Sequence, residues 1–162
     1  MDPATLVPTF NALPRNHLSP SGAVPNHWHI SLRHIPLQPP GYVLFIVNPA
    51  SEYVHTEGPL APGYQDASIE IKATLWSILL LRAFNGSLGT SVEQLRGSSG
   101  IGRPWSWVCN DAEMAGAVGE RLRGLGVTAP EGIGIAEAED NGKADEAWNR
   151  LLTTMRQSMG SG

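Results

Sequence analysis

Three features of this chain could do chemistry by residue type and spacing: a histidine pair, an acid after a short apolar run, and a cluster of carboxylates. His27 and His29, in "HWHISLRHI", share one side of an extended segment, about 6.5 Å apart by strand rise. Two imidazoles at that spacing suit Zn2+, whose nitrogen bonds are about 2 Å long. A zinc site needs a third ligand, and His55 is the nearest in kind; His17 lies in a proline-rich lead-in and His34 faces the other way. The bland alternative is a pair of solvent-facing histidines on an edge strand.

The acid is Asp111, in "RPWSWVCNDAEMAGAVGERLRGLGV". It stands between a strand-like run and an amphipathic run, where a carboxylate can meet a substrate or simply cap a helix. Asn110 and Glu113 have capping-box spacing, and Asp111 is itself a strong N-cap, contributing roughly 1 kcal/mol. We read it as a cap. The carboxylate cluster is "EAEDNGKADE", with Glu137, Glu139, Asp140, Asp145 and Glu146. It could hold a divalent cation; we read it as a solvated loop that places negative charge in the first turn of a helix.

Other features are weaker. "GSSGIGRP" lacks the Gly-Lys-Ser/Thr ending and precedes a strand, so it is no phosphate loop. Cys109 ends an apolar strand with no base nearby in sequence, which suits a buried small hydrophobe better than a nucleophile. As the only cysteine, it excludes an internal disulfide and a Cys-rich zinc site. Trp105 and Trp107 share a strand face with Cys109 and are expected in the core.

The elements that must position these residues follow from pattern. Prolines at 3, 8, 14, 20 and 25 predict an extended arm over residues 1–26. "HWHISLRHI" alternates Trp28, Ile30 and Leu32 against His27, His29, Ser31 and Arg33, a half-buried strand. "YVLFIV" reads as a strand covered on both faces, and "YVHTEG" as a third strand of a meander. Ser68–Phe84 is the strongest helix, capped by Asp66 or Ser68, with Ile71, Leu75, Ile78, Leu79 and Arg82 at helical spacing. A Gly/Ser-rich connection, 85–103, holds one helical turn near 92–96. Then come a strand (Trp105–Cys109), a helix (Ala112–Leu125) closed by Gly124 or Gly126, and a short strand in "GIGIAEA". A last helix spans Lys143–Met155, ahead of a disordered tail over 158–162.

Three meandering strands followed by alternating helices and strands predict an α/β fold. The expectation is a mixed sheet of about five strands with helices packed on its faces, a single domain over 27–157. This element order resembles the ribonuclease H-like fold. The resemblance implies inspection of three strand-end or helix positions where nucleases of that fold gather carboxylates around two Mg2+ or Mn2+ ions. Here they are Asn48 in "FIVNP", Glu70 in "SIEIKATLW" and Asp111 in "VCND", with Asp145 a further acid. An amide at the bridging position is a poor Mg2+ ligand. Separately, "GYVLFIV", the long helix and the Arg-Pro, strand, Asp, helix, Leu-Gly-Val pattern of 103–127 resemble an uncharacterised domain family (domain of unknown function 6930). Some fungal members of it accompany a MYND-type zinc finger; no finger cysteines exist here.

With 162 residues, 41% hydrophobic and 16% charged, the chain can bury a real core. A net charge of −4 argues against sequence-independent binding of duplex nucleic acid. The N-terminus has no secretory pattern, and "ATLWSILLLRAF" is about half the ~20 residues that span a bilayer. The expectation is an intracellular, cytoplasmic protein. Its role is read as a non-catalytic interaction or accessory domain with a protein partner and no cofactor. Two alternatives stand beside it: a metal-dependent nuclease using Glu70, Asp111 and Asp145 with Mg2+ or Mn2+, and a zinc site at His27, His29 and His55.

Overall fold

Apolar runs that alternate with turn residues bring five strands into one mixed sheet. They are β1 (His27–Ile35), β2 (Gly41–Val47), β3 (Val54–Glu57), β4 (Ser106–Cys109) and β5 (Gly134–Ile135). The structure, a computed structural model, describes residues 3–18, 24–36, 41–86, 102–128, 130 and 132–160. The strands lie in the order β3-β2-β1-β4-β5. The meander β1-β2-β3 is antiparallel, whereas β4 joins β1 and β5 joins β4 in parallel. That is the ribonuclease H-like order, with helices packed on both faces.

Register decides which face each side chain meets. Ile30 stands opposite Ile46 and Cys109; His29 stands opposite Val47 and Val108. Because side chains alternate along a strand, Trp28, Ile30, Leu44, Ile46, Trp107 and Cys109 share one face. They pack beneath α1 (Pro3–Ala12), α2 (Ile69–Asn85) and α3 (Ala112–Leu125). The other face presents His27, His29, Ser31, Val43, Phe45 and Val47. There α4 (Ala138–Gly160) lays Ala144, Ala147 and Trp148 on the β2 residues.

The helix boundaries have local causes. Ser68 caps α2, its Oγ accepting the N–H of Ile71 at 3.3 Å, so Ser68 takes the role instead of Asp66. The buried side of α2 runs through Ala73, Trp76, Ser77, Leu80, Leu81 and Phe84. Ile71, expected in the apolar stripe, is 55% exposed, because the neighbours α1 and α3 cover a different arc of the helix. In α3 the expected bounds hold, and Gly126 closes the helix in the left-handed region at φ 102°.

The N-terminal segment departs from the extended arm that its prolines predict. Pro3 occupies the first helical position, where a missing N–H removes nothing. Pro8 sits inside the helix on its exposed side, at a cost of about 3 kcal/mol. Leu6, Val7 and Phe10 are buried by that helix, each stabilising it by about 1.5–3 kcal/mol, so burial outweighs the lost hydrogen bond. Phe10 stacks on Trp107 at 6.0 Å and meets the edge of Phe84 at 6.4 Å. Residues 13–18 then run beside the entry to β4, where Arg103 N–H donates to Pro14 O at 2.8 Å. A Cβ on Gly102 would lie 2.2 Å from that same oxygen, so only glycine allows the approach.

α4 also differs. It begins at Ala138, five residues before the expected Lys143, and continues to Gly160, so that residues 158–160 of the expected disordered tail are helical. "EAEDNGKADE" is therefore mostly helix, because Asp140 and Asn141 find partners on β1. The turn expected near 92–96 lies outside the described residues.

The buried α1 yields a direct expectation. Phe10→Ala should lower stability in urea denaturation by about 3–5 kcal/mol, while the exposed neighbour change Thr9→Ala should stay within about 0.5 kcal/mol.

Candidate functional site

Two polar features stand out, on opposite faces of the sheet. The first is a seam between β1 and α4. His27 Nε2 donates to Asp140 Oδ2 at 2.9 Å, and its Nδ1 is hydrogen-bonded to Ser106 Oγ at 2.7 Å. His29 Nε2 donates to Asn141 Oδ1 at 2.7 Å. Arg33 donates to Ser31 Oγ at 2.8 Å and to Asp145 Oδ1 at 2.8 Å. The expectation of solvent-facing histidines on an edge strand is overturned here. β1 is the central strand, paired on both edges, and α4 covers its polar face.

Hydroxyl, imidazole and carboxylate of Ser106, His27 and Asp140 stand in the order of a hydrolytic triad. A cavity of about 200 Å3 borders His27 and Asp140, with Asn48 and Lys143 on its rim, but Ser106 is not among its lining groups. The chain of hydrogen bonds orients His27 against α4; it does not present the serine to that cavity. His29 is fully buried, and burial lowers its pKa. The hydrogen bond to Asn141 and the charges of Asp140 and Asp145 oppose that shift, while Arg33 adds to it.

The second feature is a cleft of about 640 Å3 outside the carboxyl ends of β1 and β4. Such crevices are where open α/β sheets bind ligands. Leu32 forms its strand side, Ile69 and Lys72 the first turn of α2, and Asn110 to Met114 the start of α3. Tyr64 and Trp76 close the floor, the indole N–H donating to the phenol oxygen at 2.6 Å. Lys72 Nζ lies 5.3 Å from the Tyr64 ring centre. Burial raises the Tyr64 pKa, so the phenol stays protonated across neutral pH. Asp111 reaches this cleft, yet its Oδ1 accepts the Met114 N–H at 3.2 Å as the N-cap of α3.

The candidate acids do not converge. Glu70 is exposed in a neighbouring groove between α2 and α3, with Thr74, Glu120 and Arg121. Asp145 lies across the sheet, paired with Arg33. Asn48, expected at the sheet-central strand, follows β2 instead, at the amino end of β1. It is buried, its Nδ2 donating to Pro25 O while its Oδ1 accepts the N–H groups of Ala50 and Ser51. The central strand contributes Leu32 to the cleft, which sequence reasoning missed because "YVLFIV" looked like the more buried strand.

Nor do the three histidines meet. His55 stands opposite Ile46, which stands opposite Ile30, so it belongs to the face of the sheet away from His27 and His29. Its Nε2 pairs with Glu57 at 2.9 Å. Among the described residues no group of three or more His, Cys, Asp or Glu side chains is placed to hold a metal ion. Trp107 and Cys109 are core, as expected, whereas Trp105 is half-buried between His17, 3.5 Å away, and Arg15, 4.2 Å away.

Among the described residues no helix is long and apolar enough to cross a membrane. Comparison of the chain with known protein families, curated proteins and solved structures finds no match.

Two expectations follow from the site. Asp111→Ala should cost about 1 kcal/mol of stability and Asp111→Ser only a few tenths, measured by denaturation; equal losses would argue against a capping role. Burial pushes the Cys109 thiol up to about 11, so thiol reagents at pH 8 should label it only in denaturant.

Proposed function

We propose that this chain is an interaction or accessory domain on a ribonuclease H-like strand order, without the metal-dependent chemistry of nucleases that share that order. One observation supports it. In the cleft at the carboxyl ends of β1 and β4, two carboxylates, Asp111 and Glu113, share the space with Leu32 and Lys72. Two-metal hydrolysis needs several carboxylates to clamp two cations. Leu32 has no donor atom, the Lys72 ammonium repels cations, and Asp111 accepts a backbone N–H.

The same cleft suits a protein partner. Lys72, Gln65, Asp111 and Glu113 offer hydrogen-bonding groups beside Leu32, the kind of polar, solvent-accessible groups that form the rim of protein interfaces. This reading needs no cofactor. The finer assignment, to the uncharacterised domain family that residues 103–127 resemble, belongs to the proposal and carries no activity of its own.

The test has two arms. Purified chain with Mg2+ or Mn2+ and single- or double-stranded RNA and DNA should cleave nothing; cleavage that Asp111→Asn abolishes would overturn the reading. A photo-crosslinker at position 65 should capture one defined protein, with the yield reduced by Lys72→Glu. Capture unaffected by that substitution would remove the cleft from the interface.

A further inference from the structure

His29 is 0% exposed in the face of β1 that α4 covers, and only one of its ring nitrogens has a partner. Nε2 donates to Asn141 Oδ1; Nδ1 has no hydrogen-bond partner among the described residues. Its strand neighbours are Val47 on β2 and Val108 on β4, neither of which titrates. The charged groups facing it are Arg33 on β1 and Asp140 and Asp145 on α4. Asp140 is held by His27 and Asp145 by Arg33, so neither carboxylate is bonded to the imidazole.

A second proton on this ring would place an N–H at Nδ1 with no acceptor, and a positive charge out of water. Such a group must stay neutral or reach solvent. The element between it and solvent is α4, and what α4 adds is a separate small cluster. Ala144, Ala147 and Trp148 pack on Val43, Phe45 and Val47, apart from the larger core on the other face. That division lets one side open while the other remains packed.

We infer that α4 is an acid-sensitive latch: protonation of His29 undocks it from the sheet and uncovers the apolar β2 face, while α1, α2 and α3 stay in place. This goes beyond the accessory-domain reading and does not depend on it.

The sign follows from linkage. With α4 docked, burial holds the imidazole below its ordinary 6.5, so the undocked state binds more protons as pH falls past that value. Docking is strongest above about 6.5 and weakens by up to about tenfold per pH unit down to the depressed value, the limit for one proton. His27, on the same face of β1, is bonded on both ring nitrogens, to Ser106 and to Asp140.

Hydrogen exchange of the full chain, expressed as protection factors at pH 7.5 and 5.0, tests the latch. Residues 138–158 should lose protection at pH 5.0 by tenfold or more, with α2 and α3 retaining theirs. His29→Gln, an uncharged side chain that can still donate to Asn141, should remove the pH dependence. Asn141→Asp, which supplies a carboxylate to a protonated His29, should keep α4 docked at pH 5.0 and serves even if His29→Gln fails to fold. His27→Gln should leave the response in place. Equal loss across all helices, no loss in α4, or a response that survives both His29→Gln and Asn141→Asp would overturn the inference.

Discussion

A strand paired on both edges and covered on both faces must find a partner for every polar side chain it carries, and β1 carries several. On its first face Trp28 and Ile30 enter the main core. On its second face His27, His29 and Arg33 each take a partner from α4, while Ser31 takes Arg33. An unpaired buried polar group costs about 1–3 kcal/mol, so the start of α4 is fitted to β1 by chemistry as much as by shape. Asp140, Asn141 and Asp145 each answer one residue of the strand.

Asn26 plays a comparable role at the entrance to β1. It is 1% exposed, and its Nδ2 donates to the backbone oxygens of Asn16 and Arg103 while its Oδ1 accepts the Trp28 indole N–H. Its own carbonyl accepts from the N–H groups of Trp105 and Ser106. One amide thus ties the N-terminal segment, the central strand and the parallel strand β4 together. Packing from α1 and this polar stitching act on the same region from two directions, and the parallel pairing of β1 with β4 lies between them.

That pairing creates the cleft. Parallel neighbours β1 and β4 leave a crevice beyond their carboxyl ends, and the first turns of α2 and α3 wall it. The chain fills this position with the capped carboxylate of Asp111, the neighbouring Glu113, one ammonium and an apolar strand residue. Nucleases of the same strand order use this position for hydrolysis; the role proposed for it here is contact with a partner. The seam and the cleft lie on opposite faces of the sheet, so opening one need not disturb the other.

Much of the fold was legible in the sequence because its signals are local. Alternation marked β1, a β-branched run marked β2, and cap residues with an apolar stripe bounded α3, whose limits depend on Asp111 and Gly126 alone. The order of elements then implied the order of strands. The remainder was decided by partners distant in the chain. Pro8 forbids a helix by propensity, and only the site beside Phe84 and Trp107 makes α1 favourable. "EAEDNGKADE" reads as solvated until β1 supplies histidines. Whether His55 can join His27 and His29 depends on pairing register, because a strand's side chains alternate and one residue's offset selects the opposite face. Sequence by itself determined which segments could be strands and helices; tertiary structure alone decided which polar groups meet, since that requires residues over a hundred positions apart to share one buried surface.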